Sequence, residues 1–273
     1  MAVTTTFRRR KNPKDPEGRM PLREHLDELR KRLFRAAIGV VLGAAGGWWL
    51  WPNLILPALE RPFNSLGGRG GLNFAGAVSP LDIQFKGALW VGLIVSSPVW
   101  IYQLWAFITP GLTRKERGYA VGFVSVGVPL FLAGMGLAWY ILPTTMKLIQ
   151  QFTPNSAFNY IDAPSYLSFV MRLLLAFGIA FLVPVLLVAL NFIGLLPGAA
   201  VLKQWRIVVF LCFLFSAVFT PTPDALTMIV MACPMIVLFG VAIFICVMND
   251  RRRVRNAPQD DYSKLDDDAA SPL

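Results

Sequence analysis

Pro98-Val-Trp-Ile-Tyr-Gln-Leu-Trp-Ala-Phe-Ile-Thr-Pro-Gly-Leu-Thr-Arg-Lys-Glu-Arg117 begins as the end of a long apolar run and finishes in a cluster of charge. Tyr102, Trp105 and Phe107 are aromatics of the kind that settle at a membrane–water boundary. Pro110-Gly111 then breaks the helix, because proline has no N–H to donate and glycine tolerates positive φ. Past the break, Glu116 is a lone carboxylate among Arg114, Lys115 and Arg117. Taken alone, such a charge run also reads as a solvated loop with a positive anchor and a self-paired glutamate.

Working outward, the same alternation recurs along the chain. Of 273 residues, 55% are hydrophobic and only 15% charged, and the charges are bunched, with long apolar intervals between them. A helix that crosses a bilayer needs roughly 20 mostly apolar residues. Six intervals qualify as expected spans: Ala36–Leu56, Leu81–Trp105, Tyr119–Leu142, Tyr166–Leu190, Ile207–Phe219 and Ala225–Met248. The reading is an all-α integral membrane protein of six transmembrane helices.

The net charge of +10 could suggest nucleic acid, but its placement argues otherwise. An even number of spans puts both termini on one side. That side would hold 21 of the 26 Lys and Arg residues, in the N-terminal arm, the Arg114–Arg117 loop, the Lys203–Arg206 turn and the C-terminal tail. Arg61, Arg69 and Lys147 fall in the opposite loops, with Lys86 and Arg172 within or near spans. Such asymmetry predicts cytoplasmic N- and C-termini. The basic surplus serves as a topology signal and an attraction for anionic lipids.

Residues 1–20 form a basic, proline-spotted arm with the composition of a disordered segment. From Pro21 to Arg35, Leu22, Leu26, Leu29 and Leu33 recur at helical spacing among charged residues, which predicts an amphipathic helix on the cytoplasmic interface. Its carboxylates can pair at i,i+4, Asp27 with Lys31 and Glu28 with Arg32. The six-helix domain runs over 21–248, and the tail 249–273, basic then acidic, reads as a disordered cytoplasmic extension. Trp48-Trp49-Leu50-Trp51-Pro52 reads as an aromatic belt at the far interface. A glycine-rich outer loop follows from Glu60 to Ser79, and the second outer loop, Pro143–Ser165, has room for a short surface helix.

Asp82 and Lys86 share one helical face near the outer end of the second span. Ser96-Ser97-Pro98 should kink that span near its inner end, and Pro129, Pro184 and Pro234 lie inside later ones. Repeated kinks favour a concave wall over a straight bundle. The fifth span, thirteen residues between Arg206 and Thr220, covers roughly 20 Å of a ~30 Å core. Thr220-Pro-Thr-Pro-Asp224 turns it at once into the sixth, so the two form a short hairpin.

Reactive chemistry has no evident seat. His25 is the only histidine and reads as a surface or interface residue. There is no nucleophile elbow, no metal-ligand spacing and no pair of intramembrane aspartates, so neither an enzyme nor a metal or cofactor site is expected. Cys212, Cys233 and Cys246 fall in apolar spans and read as small buried hydrophobes. A small-solute transporter or channel is the competing class, although such proteins place ionisable groups at mid-membrane. The remaining option is recognition: carboxylates beside aromatics at a membrane surface suit a peptide carrying guanidinium groups, because arginine meets carboxylate through a planar fork that lysine lacks.

Here the residues meet a known family. Glu24-His-Leu-Asp-Glu-Leu-Arg-Lys-Arg-Leu33, Pro98 to Arg117, Ser165-Tyr-Leu-Ser-Phe-Val170, Gly178-Ile-Ala-Phe181 before Pro184, and Thr220–Asp224 leading to Pro234-Met235 resemble TatC. That family is the polytopic receptor subunit of the twin-arginine protein translocase of the bacterial cytoplasmic membrane. The resemblance implies binding of twin-arginine signal peptides of folded passengers at the cytoplasmic face. It also implies self-association, recruitment of single-span TatA and TatB partners, and transport driven by the proton-motive force. Carried over by motif, Glu116 and Phe107 would contact the arginine region. Glu28 and Arg30 would belong to the same surface, and Pro98 and Pro110 would shape it. Pro221 and Asp224 in the outer turn, with Lys86, would be further functional positions. Where family members often carry a glutamate and a glutamine, this chain has Leu182 and Met228, so Thr227, Ser216 or backbone carbonyls exposed by Pro184 are expected to substitute in docking partner helices.

Overall fold

A computed structural model of the chain describes residues 22–64, 70–74, 76, 78–108, 114–151, 159–220 and 225–256. Among these the elements in order are α1 (Leu22–Leu50), a π-helical turn (Trp51–Ile55), α2 (Leu56–Asn64), β1 (Gly70–Asn73), α3 (Ser79–Val95), α4 (Ser97–Ile108), α5 (Arg114–Gln151), β2 (Asn159–Asp162), α6 (Ala163–Phe192), α7 (Gly198–Lys203), α8 (Trp205–Phe219) and α9 (Ala225–Asn256). Four helices are long and apolar enough to cross a membrane, or five if the bent pair α3–α4 is one span. All six expected intervals lie on helices, but α8, at 15 residues, is too short to span a bilayer core unaided.

Two compact units divide the chain: Met1–Ile55 with Gln84–Ser125, and Leu56–Ile83 with Val126–Leu273. The first is built on close approach. A Cβ on Gly43 would stand 2.8 Å from the Gly92 carbonyl oxygen, and one on Gly92 would stand 2.5 Å from that of Val40. The backbones of α1 and α3 therefore touch, as they can only where side chains are absent. One turn further, Gly87 receives the face of Trp51, which is wholly buried and edge-on to Trp90 at 6.3 Å. Trp51 is thus a core residue, whereas its supposed belt partners Trp48 and Trp49 are exposed.

Pro52 explains the π-turn. It cannot donate to the carbonyl of Trp48, four residues back, and the Gln84 side chain donates to that oxygen instead at 2.7 Å. Asn53 caps the Trp49 carbonyl with its side chain, also at 2.7 Å. The expected kink at Ser96-Ser97-Pro98 is a 62° bend between α3 and α4. The Leu93 carbonyl at the bend accepts from the Trp100 indole N–H at 2.9 Å.

The second unit centres on α6. Asp162 caps it by accepting from the Ser165 N–H at 3.0 Å, and Gly194, at φ +83°, ends it. Gly178 on α6 admits Phe131 and Met135 of α5, and Phe177 meets Phe215 of α8 edge-on at 5.2 Å. At the end of α6, the Asp250 carboxylate of α9 accepts from Asn191 Nδ2 (2.7 Å) and from the Gly198 N–H (2.6 Å), which fixes α7 against α9. Ser216 donates to the Met228 carbonyl at 2.8 Å and ties α8 to α9.

Several sequence expectations need correcting. The interfacial segment and the first span are one unbroken helix: no proline lies between Leu22 and Leu50, and of the glycines there Gly39, Gly43 and Gly47 sit where α1 meets α3 and α4. The second outer loop holds no short surface helix among the described residues. Instead α5 continues through Pro143 to Gln151, and β2 pairs in parallel with β1, Gly70 opposite Asn159 through Asn73 opposite Asp162. The tail is helical as far as Asn256, where Arg253 and Arg255 suit the negative end of the helix dipole. Cys233 is exposed, unlike Cys212 and Cys246.

The glycine contacts are testable. Gly92→Val should lower the melting temperature and the yield of folded protein. Gly46→Ala, whose added carbon meets nothing within 4 Å, should leave melting unchanged or raise stability by up to about 1 kcal/mol. Thermal unfolding of both variants in detergent compares them, and equal melting would remove the role assigned to close approach.

Candidate functional site

The expected recognition residues converge, as far as they are described, on the first unit. Gly39 of α1 lies against Val99 and Ser96, so α1 and α4 pack along one another toward the charged N-terminal end of α1. There the His25 imidazole stacks on the Phe107 ring, with centroids 4.5 Å apart and planes inclined by 21°. Glu28 follows His25 by three residues and so lies on the same helix face. It forms the expected i,i+4 ion pair with Arg32, accepting from Nε at 3.0 Å and from Nη2. Both contacts fall on Oε1; among the described residues Oε2 has no donor.

Gln103 is one turn before Phe107 on α4. Its Oε1 is buried with no hydrogen-bond partner, which leaves an acceptor in want of a donor. Behind this face, Trp105 is buried against Phe123 of α5, ring centroids 4.3 Å apart, which holds the end of α4 against the helix that carries Glu116. His25 and Gln103 were not among the expected site residues. The signal for His25 was its i,i+3 spacing to Glu28, and for Gln103 its i,i+4 spacing to Phe107.

Other expected residues lie elsewhere. Arg30 is exposed, about 200° around α1 from Glu28 at 100° per residue, so it faces away from the stack. Pro98 opens α4, where it produces the bend. Glu116 is in the first turn of α5, but its side chain, like all of Pro110, Pro221 and Asp224, lies outside the described residues. Lys86 is exposed on α3. In the second unit Leu182 and Met228 are half-buried, while Ser216 and Thr227 are buried, with the Ser216 hydroxyl committed to α9.

The buried polar residues described are serines, threonines and Asn191, none of them charged, and Arg172 is exposed. No group of three or more His, Cys, Asp or Glu side chains stands together among the described residues.

The family model for Sec-independent protein translocase protein (TatC) matches residues 24–234. The chain belongs to the TatC family. TatC of Xylanimonas cellulosilytica is 48% identical and aligned over 87% of each chain. TatC of Frankia casuarinae is 38% identical over 100% of this chain and 78% of its own. A crystal structure of the twin arginine translocase receptor TatC superposes with a TM-score of 0.69 at 29% identity, covering 81% of this chain and 99% of that one. Its apolar helices and its family make this TatC protein a multi-pass membrane component of a protein translocase.

The stack of His25 on Phe107 should appear as coupling. In a double-mutant cycle of His25→Ala and Phe107→Ala, unfolding free energies should be non-additive by about 0.5–1.5 kcal/mol. Strict additivity would mean the rings do not support one another.

Proposed function

We propose that this chain is the receptor and core subunit of the twin-arginine translocase, binding twin-arginine signal peptides of folded proteins at the cytoplasmic face. It sits in the bacterial cytoplasmic membrane as six spans, counting the bent α3–α4 pair and the short α8, with both termini cytoplasmic. The observation that carries the reading is the His25–Phe107 stack with Glu28 one turn away and the unsatisfied Gln103 oxygen one turn behind. Together they offer a flat aromatic surface beside the open Glu28 oxygen, with an unmet acceptor buried at Gln103, in a member of the TatC family.

Glu116 is the principal reader of the arginine pair. The bidentate geometry of guanidinium and carboxylate supplies selectivity over lysine. Glu28 contributes its open Oε2, Phe107 packs on the methylene stems, and Pro98 and Pro110 fix where α4 begins and ends. Arg30, on the other side of α1, acts on the surrounding membrane surface rather than within the same pocket. Arg114, Lys115 and Arg117 oppose a dibasic ligand, although screening over about 8 Å at physiological salt weakens the more distant repulsion. Affinity is therefore modest and draws on the apolar segment of the signal.

Single-span TatA and TatB helices dock around Leu182 and Met228, through apolar packing in place of the usual polar contacts. Ser216 and Thr227 set the spacing of α8 and α9 at that surface. Pro221, Asp224 and Lys86 act at the outer side, the subunit self-associates in the complex, and the proton-motive force drives transport.

A synthetic twin-arginine signal peptide and its Lys-Lys counterpart should be titrated against the purified protein in nanodiscs. The arginine peptide should bind at least about tenfold more tightly, a preference worth ~1.4 kcal/mol, and Glu116→Ala should abolish it. Glu28→Gln and Gln103→Leu should each weaken it several-fold. Equal binding of both peptides by the unaltered protein would reduce the surface to membrane electrostatics and overturn the receptor reading.

A further inference from the structure

A groove runs along the second unit where α7, α8 and α9 meet. Its volume is about 370 Å³, and its walls include Leu202, Trp205 and Val209 on one side and Ile236, Gly240 and Ile243 on the other. Leu202 is in the last turn of α7 and Trp205 opens α8, so the wall on this side passes from one helix to the next. Every one of these side chains is apolar, and Gly240 leaves a notch: a Cβ built there meets nothing within 4 Å.

One end of this groove is basic. Lys203 and Arg206 are exposed on the turn that joins α7 to α8. The Arg206 guanidinium carbon lies 5.8 Å from the centroid of the Trp205 ring, so a cation rests on the aromatic wall at the mouth. Arg251, Arg252 and Arg255, all exposed, continue α9 beyond Ile243 toward the same end, where α7 is seated on α9 through Gly198 and Cys246. The carboxylate in this stretch, Asp250, already accepts from Asn191 and from the Gly198 N–H. Arg253 is likewise engaged, with the Phe192 carbonyl.

We propose that this groove is a binding site for one anionic glycerophospholipid, an acyl chain lying against Gly240 and the phosphate held by Lys203 and Arg206. Lipid tails are as apolar as the groove lining, so burying a chain there brings no gain from leaving water. Selection has to come from shape and from the headgroup. The notch supplies the shape, and cations beside an interfacial tryptophan are the arrangement that retains a negatively charged headgroup. The basic mouth favours a lipid over a transmembrane partner helix, whose apolar span brings no anionic headgroup to it. The site is independent of the signal-peptide surface, which lies in the other unit.

Native mass spectrometry of the purified protein, titrated with phosphatidylglycerol and with phosphatidylcholine of the same chains, tests this. The unaltered protein should retain one phosphatidylglycerol with a preference of roughly tenfold or more, in keeping with two nearby cations. Gly240→Leu, which fills open space and should fold, should lose the bound lipid several-fold. Lys203→Gln combined with Arg206→Gln should erase the headgroup preference while a chain still binds. Binding of the twin-arginine peptide should be unchanged in Gly240→Leu, so a failure of the receptor reading would be seen separately. Equal retention of the two lipids by the unaltered protein, or undiminished phosphatidylglycerol on Gly240→Leu, would overturn the proposal. So would efficient photocrosslinking from position 240 to a partner helix in native membranes with no lipid adduct.

Discussion

A carbonyl released from its helix inside a bilayer has no water to turn to, and much of this structure is arranged around that constraint. At Pro52 the orphaned oxygen of Trp48 is met by Gln84 from another helix, and at the Ser96 bend the oxygen of Leu93 is met by the Trp100 indole. At the end of α8 the Ser216 carbonyl accepts from both the N–H and the hydroxyl of Thr220, at 2.8 and 2.6 Å, while the Ser216 hydroxyl crosses to Met228. At Pro52 and at the Ser96 bend the helix is reshaped without leaving these acceptors bare. The bend before α4 is what sets the direction of the segment that carries Gln103 and Phe107.

The same constraint explains which side chains were free for recognition. In the second unit the Ser216 and Thr220 hydroxyls are spent on backbone carbonyls, and Asn191 and Asp250 on holding α7. Unmet acceptors occur instead on α1 and α4, where Glu28 keeps one oxygen open and the buried Gln103 Oε1 has no partner. A surface with spare acceptors suits a ligand rich in donors, and the arginine side chain brings five.

Much of this was legible along the chain, and the reasons differ by element. Apolar intervals, the proline-driven bend and the Glu28–Arg32 pair are local properties, written within a few residues of one another. The family signal was equally legible, because Glu24–Leu33 and Pro98–Arg117 are contiguous motifs. What periodicity could not reveal was partnership across distance. His25 and Phe107 are separated by most of the first unit, and Trp51 reads as an interfacial aromatic until Gly87 is seen beneath it. Gly70-Gly71-Leu72-Asn73 has almost no strand propensity of its own; it is extended because Asn159–Asp162 pairs with it.

That strand pair also bears on how the protein is made. β1 emerges from the ribosome long before β2, and α3, α4 and α5 lie between them in the chain. A parallel ladder cannot close through a tight turn; it waits for the whole intervening crossover. Until α5 has been threaded into the bilayer and Asn159 has followed, β1 is without its ladder partner. Biogenesis therefore has an order imposed by topology, with the ladder closing only after the third and fourth helices and the long fifth are in place.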